Sequence, residues 1–182
     1  AGPWLQLAEN GGLSVSWKTN CPATGWIEYG DGFSKRAHAS QYGLIDANTR
    51  VHRVTLEELE PGARVAYRIV SKKIRSIYPT SVRFGGAVTS PAYTARVPDT
   101  GAEEVTFLMI CDLHENRRIL PELLEAGGVE TCSFVVFNGD SLNYVESEYQ
   151  LLTRFLQPLS DTFATATPFV FVRGNHETRG AF

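Results

Sequence analysis

Apolar and polar residues alternate with two different periods along this chain, and the change falls near residue 100. In residues 1–98 the period is two. Leu13-Ser14-Val15-Ser16-Trp17 sets apolar side chains on every second position, the pattern of a half-buried strand. Gly25-Trp26-Ile27-Glu28-Tyr29 follows, ending in the turn Gly30-Asp31-Gly32. Val54 and Leu56 continue the pattern, and Val65, Tyr67 and Ile69 share one face of a further strand. Short strands separated by turns predict an all-β sandwich, with Trp17 and Trp26 in its core. Pro98-Asp99-Thr100-Gly101-Ala102-Glu103 is polar and turn-rich, and reads as a linker.

From residue 104 onward the pattern is different. Apolar runs at Val105-Thr106-Phe107-Leu108-Met109-Ile110-Cys111, Phe134-Val135-Val136-Phe137 and Phe169-Val170-Phe171-Val172 alternate with helical spacing. Pro121 can open a helix, because its missing N–H has no partner to lose there. Leu120, Leu123 and Leu124 fit one face of that helix, and Gly127-Gly128 ends it. Tyr149, Leu152, Phe155, Leu156, Leu159 and Phe163 recur at three- and four-residue steps, which predicts an amphipathic helix. The order β-α-β-α-β implies right-handed crossovers and parallel strands, with ligands outside their carboxyl ends. The expected fold is a β-sandwich over residues 1–98 followed by a partial α/β unit over residues 104–182.

Composition narrows the function classes. With 43% apolar and 20% charged residues the chain can bury a core. A net charge of −3 gives no overall basic surface, so a basic patch and a nucleic-acid partner are not expected. No apolar run approaches the roughly 20 residues that span a bilayer. Cys21, Cys111 and Cys132 lack metal-type spacing. Cys111 and Cys132 lie in apolar surroundings and are expected to be small core residues, without a disulfide framework.

Each apolar run in the second part ends on a polar cluster: Asp112-Leu113-His114, Gly139-Asp140, and Gly174-Asn175-His176-Glu177. Carboxylate, imidazole and amide oxygen thus arrive together at three strand ends. Any one of these is ordinarily a cap, a turn or a surface residue; three in order are not. Hydrolysis of a phosphate ester needs a nucleophile at neutral pH and cover for charge on the phosphoryl oxygens, and two cations supply both. Asp112 and His114 can reach one cation from a short loop, Asp140 can bridge, and Asn175 offers its amide oxygen to the other. His176 then faces the substrate and protonates the leaving oxygen. Ser141 has no base placed to activate it and is not read as a nucleophile. Arg117 or Arg118 could meet substrate phosphate, or could equally begin a solvated helix. Glu177 could orient His176 or cap the segment after it. His38 and His52 read as packing or surface residues.

The three blocks resemble the calcineurin-like metallophosphoesterases. Together with Val15-Ser16-Trp17 and Gly25-Trp26-Ile27-Glu28-Tyr29-Gly30 ahead of them, the chain is similar to purple acid phosphatases. Leu59-Glu60-Pro61-Gly62 resembles the corner of fibronectin type III domains, where Val65 stands at a position commonly held by tyrosine and Tyr67 follows on the same face. The resemblance implies an acid phosphatase-like hydrolase of small phosphate esters with two metal ions of iron, zinc or manganese. It implies that Asp112 and His114 hold one metal, Asp140 bridges, Asn175 holds the second, and His176 contacts phosphate. It further implies an extracellular or periplasmic address. A phosphodiesterase or nucleotidase of the same superfamily, and a non-catalytic adhesion module, are the competing readings. Two positions depart from the family pattern. Asn143 stands where purple acid phosphatases place a metal-binding tyrosine, with Tyr144 next, so a purple ferric site is not implied unless a local bulge brings Tyr144 in. None of the four histidines follows His176, although the family adds histidines from later segments. The chain is therefore expected to be the front part of a longer enzyme, inactive or weakly active alone, with a half-covered sheet that self-associates.

Overall fold

The computed structural model describes residues 1–181, apart from the Asn10 side chain. Its strands are β1 (Trp4–Leu7), β2 (Leu13–Tyr29), β3 (Lys35–His38), β4 (Ser40–Gln41), β5 (Leu44–Ile45), β6 (Thr49–Leu56), β7 (Arg64–Tyr78), β8 (Ser81–Thr89), β9 (Tyr93–Arg96), β10 (Phe107–Ile110), β11 (Phe134–Asn138) and β12 (Phe169–Val172). Helices are few: α1 (Leu120–Ala126), and α2 (Glu148–Leu151) joined to α3 (Gln157–Thr162) through a π-helical segment, Leu152–Leu156.

The two alternating runs near the start are one strand, β2, of 17 residues. Its ladder to β6 shifts between Lys18 and Ala23. The first part of β2 pairs with β1 and β6, and the last part with β3 and β7. β2 thus joins the β1 and β6 ladders to the β3 and β7 ladders. Leu13, Val15 and Ile27 accordingly share one apolar cluster with Leu5, Val54 and Tyr67. Trp17 joins that cluster, but Trp26 does not. Alternation sends Ile27 inward and turns Trp26 outward, where it is half-buried under Arg36, whose guanidinium carbon lies 4.9 Å from the ring centre.

His52 pairs across the ladder with Trp17 and stacks on it, ring centres 4.8 Å apart. Burial holds its pKa below the ordinary 6.5, and burial does the same to His38. Folding therefore selects neutral imidazole. The stability this contributes is present above the unfolded value and is lost as pH falls through the lowered folded value. The guanidinium unfolding midpoint is expected to drop between about pH 7 and pH 5, and less steeply in His52→Gln. Identical slopes in both proteins would exclude His52 as a source.

In the second part β10, β11 and β12 are parallel, in sequence order. Ile110, Val135, Phe137 and Phe169 pack against Leu120, Leu124, Phe155, Leu159 and Phe163 of the helical segments and their borders. Pro121 stands in the first turn of α1, and Gly127 follows its last residue. Tyr149 departs from the expected apolar face and is exposed. The intervening π turn carries extra residues per turn, which rotates the turns before it out of phase with those after it. Of the two cysteines expected inside, Cys132 is buried but Cys111 is exposed, because β10 ends one residue earlier and Cys111 opens the loop. Among the described residues the opposite sheet face carries no helix, and Phe107, Met109 and Val172 are exposed on it.

The sheet continues across the linker. β1 runs parallel to β12 through Gln6 and Phe169. Leu5 N donates to Ala164 O at 2.8 Å, and Arg96 N to Ala166 O at 2.7 Å. The hydroxyl of buried Tyr67 donates to Thr165 O at 2.9 Å. The two parts therefore share one ten-stranded sheet.

Candidate metal centre

The three parallel strands end level, with Ile110 opposite Phe137 and Phe137 opposite Phe171. The polar clusters leave from these ends and meet. Asp112, His114, Glu115 and Asp140 all hold left-handed backbone, with φ of 54°, 47°, 61° and 51°. Such backbone costs a non-glycine residue on the order of 1 kcal/mol and persists only when its surroundings hold it. Here the loops hold each other. Asp112 N donates to Gly139 O (3.2 Å), His114 N to Asp140 O (3.0 Å) and Glu115 N to Ser141 O (2.8 Å). The third loop closes on the second through two glycines. A Cβ on Gly139 would lie 3.0 Å from Gly174 Cα, and one on Gly174 would lie 2.6 Å from Asp140 N.

All five residues singled out from sequence come to this rim. Asp140 is the hub. Its Oδ1 accepts from His176 N at 2.9 Å. With the Asn175 amide turned end for end, its nitrogen would donate to Asp140 Oδ2 at 3.0 Å and its oxygen would accept from Arg179 Nη2 at 2.8 Å. His114, Asp140 and His176 present ligand atoms that all lie within 4.8 Å of one another. The two imidazoles meet edge to face, ring centres 4.6 Å apart. Asp112 lies at the outer side of this cluster, its side chain 70% exposed, with Oδ1 3.8 Å from His114 Nε2. His176, read from sequence as the group facing substrate, thus sits among the close donors, and Asp112 sits outside them.

Asn143 contributes to the site through its backbone. Its carbonyl lies 2.9 Å from His176 Nδ1 and can accept from an Nδ1–H, while Arg179 Nη1 lies 3.2 Å from the same nitrogen and would donate to it in the other tautomer. Its side chain donates to His114 O at 3.4 Å. Tyr144 is exposed, and its hydroxyl bonds to none of the described residues. Ser141 is buried, out of reach of any substrate. Arg117 points to Thr153 O at 3.4 Å.

Three further residues shape the site, and the sequence reading gave them other roles or passed over them. Glu177 is buried and does not orient His176. It accepts from Asp140 N (2.9 Å), Leu142 N (2.9 Å) and Gly174 N (2.8 Å), clipping the second loop to the third. Its place beside His176 was the available signal, but the three donors are set by tertiary structure. Arg179 reaches back to Asn175 from four residues on. Glu115 accepts from Gln150 Nε2 and Arg154 Nη1, both at 3.0 Å, tying the first loop to α2 and the π segment. Two imidazoles and a carboxylate at this spacing fit a divalent transition ion.

Residues 105–182 match the family described as calcineurin-like phosphoesterase. Acid phosphatase type 7 of the mouse (Mus musculus) is 29% identical to the chain over 188 residues, covering 97% of the chain and 40% of the mouse protein. A purple acid phosphatase from yellow lupin (Lupinus luteus) seeds shares the fold, with a TM-score of 0.68 at 14% identity, over 96% of the chain and 35% of the lupin protein. The chain thus spans about two fifths of the curated relative it matches, at 40% of its length. The matched segment contains the whole rim, from Asp112 to Arg179, while the likeness to both relatives extends through the β strands ahead of it. No helix among the described residues is long and apolar enough to cross a membrane.

Proposed function

We propose that this chain forms part of a metal-dependent phosphoric ester hydrolase acting on phosphate monoesters. The convergence of His114, Asp140 and His176 at three level strand ends carries the reading. In it, Asp112 and His114 hold one ion, Asp140 bridges, and Asn175 turns its amide oxygen to a second. Two ions of iron, zinc or manganese would supply a nucleophile from water and neutralise charge on the phosphoryl oxygens. The chain's own residues do the rest. Glu177 and the paired loops keep the Asp140 carboxylate in register. With Nδ1 donating to the Asn143 carbonyl, the imidazolium form of His176 would release its Nε2 proton to the leaving oxygen and return to the neutral ring. Residues 1–98 make a fibronectin type III-like sandwich that supports residues 104–182, with an extracellular or periplasmic address. The uncovered face bearing Phe107, Met109 and Val172 favours self-association of the isolated chain.

Metal analysis after dialysis against zinc, manganese or ferrous ion tests the reading. The chain is expected to retain metal, and His114→Ala is expected to lose it while remaining folded by circular dichroism. A folded chain that retains none of the three ions rejects the metal site and leaves the adhesion-module reading. In a longer form that turns over, faster hydrolysis of p-nitrophenyl phosphate than of bis(p-nitrophenyl) phosphate supports a monoesterase, and the reverse order a diesterase.

A further inference from the structure

The net charge of −3 hides a strong segregation. Between Arg64 and Pro98 the chain carries seven Lys or Arg residues and no Asp or Glu. Six of them, Arg64, Arg68, Lys72, Lys73, Arg75 and Arg83, fall on β7 and β8. Arg68 is paired with Glu28. The other five have no carboxylate partner among the described residues. A basic patch is therefore present, contrary to what overall charge suggests.

This patch stands on a projecting ribbon. The pairing of β7 with β2 ends at Lys73. Beyond it β7 has only β8 beside it, with register shifts on either side of Ile74. An unsupported two-stranded ribbon is marginal in water, yet this one turns large apolar groups outward. Ile77 is 56% exposed, Tyr78 47%, Val82 42% and Phe84 43%. The cations flank them. Lys72 Nζ lies 4.8 Å from the centre of the Phe84 ring, and the Arg83 guanidinium carbon 5.4 Å from that of Tyr78.

We propose that the β7–β8 ribbon docks on an anionic lipid surface, with Ile77, Tyr78, Val82 and Phe84 entering the headgroup layer and the neighbouring cations meeting lipid phosphates or carboxylates. The pairing of chemistries selects this partner. A nucleic acid or an acidic glycan would engage Lys73, Arg75 and Arg83 but leave Ile77 and Val82 in water. An apolar protein groove would take the tip and leave the cations unpaired. A bilayer surface with negative headgroups satisfies both, as amphipathic segments with aromatic and basic residues do at interfaces. The ribbon lies in the first part of the chain and involves none of the rim residues.

Co-sedimentation of the chain with vesicles tests the proposal. Phosphatidylcholine vesicles containing phosphatidylserine are expected to bind it roughly a hundredfold more tightly than phosphatidylcholine alone, with the preference lost at high salt. K73E/R75E and I77S/V82S should each abolish the preference with unchanged circular dichroism, since all four positions are exposed. In Tyr78→Trp, emission should shift to the blue on binding and be quenched by brominated lipid; the native Trp4 and Trp17 are buried and Trp26 half-buried, giving a constant background. Equal binding to both vesicle types, no binding, or unquenched emission from Tyr78→Trp overturns the proposal. So does anionic-vesicle binding that survives I77S/V82S, which would mark a general polyanion site.

Discussion

Glu177→Ala is expected to lower the thermal midpoint by about 10 °C, with circular dichroism at equilibrium as the measurement. The buried carboxylate accepts three backbone N–H bonds, from Asp140, Leu142 and Gly174. Its loss leaves all three donors short of a partner. An unsatisfied buried donor costs about 1–3 kcal/mol, so a net loss of about 4 kcal/mol remains after relaxation. Glu177→Gln retains one carbonyl oxygen but turns an amide nitrogen toward a donor, so it should fall between wild type and Glu177→Ala. The second loop would also loosen against the third, and metal affinity should drop by about 10–100-fold in both variants. A midpoint within about 2 °C of wild type in Glu177→Ala would show that the three donors find water instead.

Asp140→Asn should act on chemistry more than on folding. Asparagine keeps an acceptor for His176 N, and Asn175 can rotate its amide to meet the new one, so the melting curve should move little. The negative charge between the two imidazoles is gone. Bound metal should be lost from the chain. In any longer form that turns over phosphate esters, kcat should fall roughly a thousandfold, about 4 kcal/mol of transition-state stabilisation. Unchanged metal content and turnover would remove Asp140 from the centre and end the dinuclear reading.

The rim was legible because its parts are local. Each apolar run is short, ends on its polar cluster, and is separated from the next by a helix-length pattern, so parallel pairing brings Asp112, Asp140 and Asn175 together by topology alone. What depends on tertiary geometry was not legible. Nothing in Asn143 marks its carbonyl as the partner of His176, and nothing in Glu177 names three amides as its donors. The course of β2 was not legible because Leu13–Trp17 and Gly25–Tyr29 are separate alternating runs, whereas the strand continues through Asn20 and Pro22 between them. Trp26 was misplaced because an aromatic in an alternating run suggests the core, whereas the parity set by Ile27 decides the side. The charge of the β7–β8 ribbon was averaged away by acidic residues elsewhere. The π turn before α3 has no signature in the leucine spacing, so Tyr149 was counted on the wrong face.

The pairing of β1 with β12 has a bearing on how the molecule is made. A nascent polypeptide leaves the ribosome amino end first, and Trp4–Leu7 can be joined early by Leu13–Ser16 on one side only. The other side waits until Phe169 has been synthesised. Until then that strand offers open amides and carbonyls to any passing extended peptide, a hazard that chaperones exist to cover.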